Sequence, residues 1–112
     1  MNVKLKKTAT ASISSGRANH LSLGGTLNFD TVPALVVQAK GMLSHGSETT
    51  VSLADVDSAN SAGLALLLEM LRYSRSINTS IRFEQVPAKM ATVARAYGIE
   101  PALDSDEFVK QA

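Results

Sequence analysis

The 112-residue chain is long enough for one hydrophobic core and too short for two domains. Hydrophobic residues make up 45% of it and charged residues 19%, with a formal net charge of +1, so the composition excludes a disordered chain and does not indicate a nucleic acid or an acidic substrate as partner. The sequence has no cysteine, which excludes a disulfide scaffold, a thiolate zinc site and thiol catalysis.

The N-terminal residues and the apolar runs predict a soluble domain. The segment "MNVKLKKTATASISSGRANH" contains basic residues but no apolar stretch behind them, which predicts no signal peptide. The longest strongly apolar run, "AGLALLL", is far shorter than the roughly 20 residues that a membrane-spanning helix needs. If the protein works at a membrane, we therefore expect another protein to hold it there.

The first part of the chain predicts a β-hairpin followed by a helix. "TASISS" (Thr10–Ser15) and "NHLSLGG" (Asn19–Gly25) alternate apolar and polar residues with a glycine between them, which indicates two paired strands. The spacing of the apolar residues in "VPALVVQAKGMLSH" predicts an amphipathic helix. Asp30 or Thr31 can cap this helix, and Pro33 lies in its first turn, where the missing N–H costs nothing.

The second part of the chain predicts two strand–helix units. "TTVSLADV" (Thr49–Val56) and "SIRFEQV" (Ser80–Val86) are typical of strands, and each precedes a predicted helix, "NSAGLALLLEML" (residues 60–71) and "PAKMATVARAYGI" (Pro87–Ile99). Such units favour parallel, right-handed crossovers. The sequence therefore predicts an α/β fold of order β-β-α-β-α-β-α, with a mixed, mostly parallel four-stranded sheet and about three helices packed on one face.

The helix that starts with residues 60–71 has apolar side chains on two sides when its pattern is continued to Ile77. The stripe expected to face the sheet consists of Leu64, Leu67, Leu68 and Leu71. A second stripe on roughly the opposite side consists of Leu66, Met70, Tyr73 and Ile77. Either a neighbouring helix or the C-terminal tail covers this second stripe, or it is exposed and contacts another protein or a second copy of the chain. The pattern leaves both alternatives open.

Small and polar residues mark the start of the same helix. Asn60 can act as the N-cap, with Ser61 and Ala62 in the first turn and Gly63 allowing another backbone to approach. The positive end of the helix dipole favours an anion here, including a phosphoryl group on Ser61. Because capping does not explain why both Ser61 and Gly63 are small, we expect close approach by something outside the helix.

The residues around Ser61 do not predict an enzyme. The nucleophile elbow of acyl hydrolases has glycines two positions before and after its serine, and here Ala59 stands at the first of these positions. Nothing in the sequence indicates that either histidine reaches Ser61 as a general base. Asp55 and Asp57 have no further ligand cluster beside them, so we expect neither a metal site nor a cofactor.

With these features in place, the chain resembles a STAS domain, the fold of bacterial anti-sigma-factor antagonists. "LSLGGTLNFDTVPAL" (Leu21–Leu35) resembles the family's strand–Gly-x-Leu-Asp–helix segment, and "VSLADVDSANSAGLALLLEML" (Val51–Leu71) resembles its strand, loop and Asp-Ser-x-Gly-Leu helix start. This register places the family serine on Ser61. The resemblance extends over about residues 10–102, so residues 1–112 are predicted to form a single STAS domain with a short basic N-terminus and a polar C-terminal tail.

Within that family, "SAGLALLLEML" followed by "VPAKMATVARAYGIEPAL" is most similar to the STAS subunit of a phospholipid-transporting ABC complex of Gram-negative bacteria. That complex serves the lipid asymmetry of the outer membrane. The resemblance implies a non-catalytic, cytoplasmic subunit that is peripheral to the inner membrane. It implies that the subunit binds the ATPase, and through it the permease, and that it supports assembly and activity of the transporter.

The resemblance also implies where the partner binds. The expected docking face consists of Asn60, Ser61, Ala62, Gly63, the loop residues Asn28, Phe29, Asp30 and Thr31, and Leu66 and Met70. Asn60 and Asn28 stand where relatives have acids, and uncharged amides cost less to desolvate at an interface than carboxylates. The alternative is an anti-sigma-factor antagonist that binds an anti-sigma kinase and is switched by phosphorylation of Ser61.

Overall fold

A computed structural model describes residues 10–16, 19–44 and 46–96 of the chain. The elements along the chain are β1 (Ala11–Ser15), β2 (His20–Leu27), α1 (Val32–Met42), β3 (Glu48–Ala59), α2 (Ser61–Ser76), β4 (Ser80–Glu84) and α3 (Ala88–Ala96). The strands form one sheet in the order β1-β2-β3-β4, in which β1 and β2 are antiparallel and the other two pairs are parallel. The predicted α/β fold, its element order and its mixed sheet are confirmed.

The core lies between one face of the sheet and the helices. Paired strand residues on this face, such as Leu21 with Val51 and Val51 with Phe83, are buried. Their neighbours along each strand point to the opposite face and are polar, as in β1, where Ser12 and Ser14 flank the buried Ile13. This alternation makes only one face suitable for burial, so the helices cover that face alone. No helix in the part of the chain that the structure describes is long and apolar enough to cross a membrane.

Strand β3 is longer than its apolar pattern predicts. The predicted strand ended at Val56, but pairing with β2 continues to the pair Leu27 and Ala59. Two irregularities in this pairing follow Ser22 and Gly25 of β2, and β3 contributes one extra residue at each. The polar residues at the end of β3 are thus held as a strand by backbone pairing rather than by alternating burial. Only Asn60 separates β3 from α2.

Helix α2 is the central helix, and its second apolar stripe belongs to the core. It packs on the sheet and contacts both α1 and α3, so two of its sides are covered. Leu66 and Met70 are 0% and 1% exposed, and Tyr73 and Ile77 are partly buried against the core. This corrects the expectation that Leu66 and Met70 contribute to a docking face, because a partner or a second copy cannot reach them in the folded domain.

The structure describes the start of α1 and the start of α3, but the predicted end of α3 lies outside the described residues. Thr31 occupies the N-cap position of α1, but its side chain makes no capping hydrogen bond to the helix, and Pro33 lies in the first turn as predicted. Helix α3 begins at Ala88, directly after Pro87. The predicted end of α3 near Ile99 lies outside the described residues.

Candidate functional site

The junction between β3 and α2 is held by hydrogen bonds of Asn60. This residue has an extended backbone (φ −110°, ψ −162°), and its Oδ1 accepts a hydrogen bond from the N–H of Ala62 at 2.8 Å. The N–H of Asn60 donates to the carbonyl of Leu27 at 3.1 Å, and its carbonyl accepts from the N–H of Gly63 at 2.9 Å. Asn60 is therefore the N-cap of α2, as the sequence predicts, and it also ties this cap to β2.

The first turn of α2 presents only part of the expected docking face to solvent. Asn60 and Ser61 are exposed, whereas Ala62 and Gly63 are buried. Ser61 is the first residue of the helix, so its side chain lies at the positive end of the helix dipole. Of the small residues at this helix start, only Ser61 can touch a partner directly.

Gly63 is small because of packing inside the domain. A Cβ atom at this position would lie 3.1 Å from Cβ of Ala59 and 3.2 Å from Cβ of Leu27, both closer than ordinary van der Waals contacts. The start of α2 therefore rests directly on the ends of β3 and β2. This corrects the expectation that Gly63 allows a partner to come close, and it makes any substitution at this position a test of folding rather than of docking.

The loop after β2 is held by its own side chains. Oδ1 of Asn28 accepts hydrogen bonds from the N–H groups of Asp30 at 2.9 Å and Thr31 at 3.0 Å, an arrangement typical of Asx turns. The hydroxyl of Thr31 accepts from the N–H of Asn28 at 3.0 Å and donates to the carbonyl of Thr26 at 2.7 Å. Asn28 and Thr31 are thus half-buried supports, while Phe29, which is 69% exposed, and Asp30 project into solvent.

The structure brings the two predicted segments together at one edge of the sheet. Strands β2 and β3 are parallel and remain paired to their last residues, Leu27 and Ala59, so the loops that follow them leave the sheet side by side. Four exposed residues follow the ends of these strands and form the carboxyl-edge surface: Phe29, Asp30, Asn60 and Ser61. A turn and a cap made of side-chain hydrogen bonds hold this surface in place.

A groove that was not expected from the sequence begins at Ser61. The groove is a cavity of about 360 Å³ between the start of α2 and helix α3, and it is lined by Ala59, Asn60, Ser61, Leu64, Ala88, Lys89, Met90, Thr92 and Val93. A second cavity of about 350 Å³ adjoins it, where Asp57, Ser58 and Pro87 join residues of the first. The sequence did contain a signal for this groove: β3 and β4 were predicted to be parallel, and the helices that follow two parallel strands begin at the same edge of the sheet.

His20, the histidine that the structure describes, lies far from Ser61. His20 is the first residue of β2, and the last residue of this strand, Leu27, lies beside the site. The length of the strand separates the two by roughly 20 Å. Nε2 of His20 instead lies 3.8 Å from Oε1 of Glu84. Within residues 10–16, 19–44 and 46–96, no three His, Asp or Glu side chains are placed to hold a metal ion. His45 lies outside the described residues. The site thus offers shape, apolar surface and hydrogen-bonding groups.

Comparison with known proteins identifies the family. The sequence model of the family described as "Mlab, STAS domain" matches residues 11–104, which is 94 of the 112 residues of the chain. A search of curated proteins finds no match. The match spans all seven described elements, from β1 to α3, and includes both loops of the carboxyl-edge surface. The chain therefore belongs to the MlaB-type family of STAS domains.

Proposed function

We propose that the chain is a non-catalytic subunit of a bacterial inner-membrane phospholipid-transporting ABC complex of the Mla type, which serves outer-membrane lipid asymmetry. It binds the MlaF-like ATPase subunit through the carboxyl-edge surface, and through that subunit it is linked to the permease. It acts on the cytoplasmic side of the membrane, without a cofactor, and supports assembly and activity of the ATPase. Membership of the MlaB-type family supports this role.

The observation that carries the proposal is that an exposed aromatic side chain and an exposed serine follow the paired ends of two neighbouring strands, β2 and β3. Phe29 is 69% exposed although a phenylalanine gains about 1.5–3 kcal/mol when it is fully buried. Ser61 follows Asn60, and the N–H of Asn60 donates a hydrogen bond to the carbonyl of Leu27, the last residue of β2 before the loop that contains Phe29. An aromatic side chain that a partner covers is a common energetic anchor of a protein interface.

The charge of the surface also suits docking. Asn60 and Ser61 are neutral, and a partner can cover them at lower cost than it could cover carboxylates at the same positions. Both loops are held by side-chain hydrogen bonds, so little conformational entropy is lost when the partner binds. Asp30, next to Phe29 in the sequence, is the one charged residue of this surface.

The proposal is tested by co-purification of the ATPase with the tagged chain. Ser61→Glu and Phe29→Asp change exposed residues, so we expect both variants to stay folded and to lose the ATPase. Two matched controls replace exposed residues elsewhere, Ser14→Glu on β1 and Val37→Asp on α1, and we expect both to retain it. Full retention by Ser61→Glu and Phe29→Asp would show that the ATPase does not bind this surface.

A second function, an anti-sigma-factor antagonist switched by phosphorylation, is favoured by the position of Ser61. This serine is exposed at the positive end of a 16-residue helix whose first turn has no acidic residue. Incubation with an anti-sigma kinase and ATP, followed by intact mass measurement, separates the two functions. A gain of roughly 80 Da that is absent in Ser61→Ala favours the antagonist. An unchanged mass leaves the transporter subunit as the better explanation.

A further inference from the structure

We propose that the groove between α2 and α3 receives one large apolar side chain of the ATPase partner, and that Lys89 pairs with an acidic residue next to that side chain in the partner's sequence. This inference rests on the proposed function and deepens it. It adds helix α3 to the docking surface and states what the partner must present: an apolar anchor accompanied by a carboxylate.

The shape and lining of the groove suit one apolar side chain. Its volume of about 360 Å³ is enough for a large apolar side chain, since an apolar cavity of roughly 150 Å³ already holds benzene. Leu64 and Met90, which are 5% and 3% exposed, line its buried part, and Val93, which is 37% exposed, contributes to its open side. Ala59 and Ala88 are small, so an entering side chain can reach these residues.

The groove carries the positive charge of Lys89. Lys89 is the one charged residue among those that line it, and within the described parts of the chain no carboxylate lies within ion-pair distance of its ammonium group. Asp57 lines the adjoining cavity together with Lys89, but it forms no ion pair with it. Helices α2 and α3 both start at this groove, and neither has an acidic residue in its first turn. A negative group on the partner would therefore be favoured.

The occupant is inferred to be a polypeptide because the groove is continuous with the carboxyl-edge surface. Asn60 and Ser61 belong to both, so a protein that covers Ser61 also covers the mouth of the groove. An apolar side chain that enters a groove at the centre of an interface is a common energetic anchor. The protein that binds the carboxyl-edge surface is therefore expected to fill the groove as well.

The test measures the dissociation constant between the purified chain and the purified ATPase. Val93→Glu places a charge at the open side of the groove, and Lys89→Glu reverses the charge that is expected to meet the partner's carboxylate. We expect each to weaken binding at least tenfold, and Lys89→Gln to reduce the dependence of binding on salt concentration. The matched controls Val37→Glu on α1 and Arg75→Glu on α2 are exposed and lie outside the groove, and we expect them to stay within twofold of the wild type.

A second measurement identifies the occupant. A photo-reactive benzoyl-phenylalanine introduced at position 93 is expected to cross-link to an ATPase peptide that contains a large apolar residue with Asp or Glu within four positions. If Ser61→Glu abolishes binding while Val93→Glu and Lys89→Glu behave like the controls, this inference is overturned and the proposed function stands. A cross-linked peptide without a nearby acid also overturns the inference. If the wild-type chain does not bind the ATPase, both proposals fail.

Discussion

The ammonium group of Lys40 on α1 lies 2.8 Å from a carboxylate oxygen of Glu69 on α2. Arg72 donates from Nε to the other oxygen of Glu69 at 2.9 Å, and Lys40 Nζ is 5.5 Å from the centre of the Tyr73 ring. This cluster joins the two helices whose first turns follow the loops of the carboxyl-edge surface. The hydrogen bonds from Arg72 and then Lys40 are the main reason why the pKa of Glu69 is lowered from 4.5 to about 2.

The cluster predicts a specific dependence of stability on pH. Because the pKa of Glu69 is lower in the folded state than in the unfolded chain, its contribution to the free energy of unfolding is fully present above pH 4.5 and is lost as the pH falls towards 2. The effect should be small, since the groups are largely in contact with solvent and salt screens them. Urea unfolding of the wild type and of Glu69→Gln over this pH range should show curves that converge at low pH. Curves that stay parallel would contradict the assignment to Glu69.

The packing of Gly63 against Leu27 predicts that two glycines in helices respond differently to alanine. At either position, the higher helix propensity of alanine alone should stabilise the domain by about 1 kcal/mol. At Gly63 the new methyl group lies 3.1–3.4 Å from side-chain atoms of Ala59 and Leu27, whereas at Gly41 of α1 it meets nothing within 4 Å. We expect Gly63→Ala to be less stable than Gly41→Ala by about 1–3 kcal/mol, as measured by urea unfolding. Equal stabilisation of the two variants would show that α2 can move away from the strand ends.

A second pair of glycines separates backbone strain from steric overlap. Gly25 in β2 and Gly46 before β3 have φ of +85° and +81°, so alanine costs about 1–2 kcal/mol at either position. A Cβ atom at Gly25 would also lie 2.3 Å from the carbonyl oxygen of Thr10, while at Gly46 nothing lies within 4 Å. Thermal unfolding should show that Gly25→Ala is the less stable variant by a further 1–3 kcal/mol, approximately. Similar losses of stability in Gly25→Ala and Gly46→Ala would indicate that β1 lies farther from Gly25 than it does in this structure.

The N-cap of α2 can be tested separately from docking. Asn60→Ala removes the acceptor for the N–H of Ala62, and we expect it to lower the free energy of unfolding by about 1 kcal/mol. Asn60→Asp keeps an acceptor at the cap, so its stability should match the wild type, yet its charge adds a desolvation cost under a partner. Urea unfolding and ATPase binding should therefore rank the two variants in opposite orders. Strong ATPase binding by Asn60→Asp would indicate that Asn60 lies outside the interface.

Periodicity and helix-capping residues predict much of this fold. The spacing of apolar residues locates three helices and four strands in the right order, because each element must bury one side, and that requirement is written into neighbouring residues. Asn60 was also predictable as the cap of α2, because a cap residue accepts its hydrogen bond from a backbone N–H only two residues along the chain. The proximity of the Asn28–Thr31 loop to Ser61 was likewise expected from the family resemblance.

Other features depend on segments that are far apart in the chain. Leu66 and Met70 could face a partner or a core, and only the position of α2 between α1 and α3 shows that they are buried. Gly63 is small because it rests on Leu27, a residue of another strand, which no local pattern reports. The groove arises where α3 lies beside the start of α2. The sequence by itself thus determined which elements form and where they start, since these depend on local backbone and burial patterns. Only the tertiary structure decided which apolar and small residues remain accessible, since exposure depends on how the elements pack.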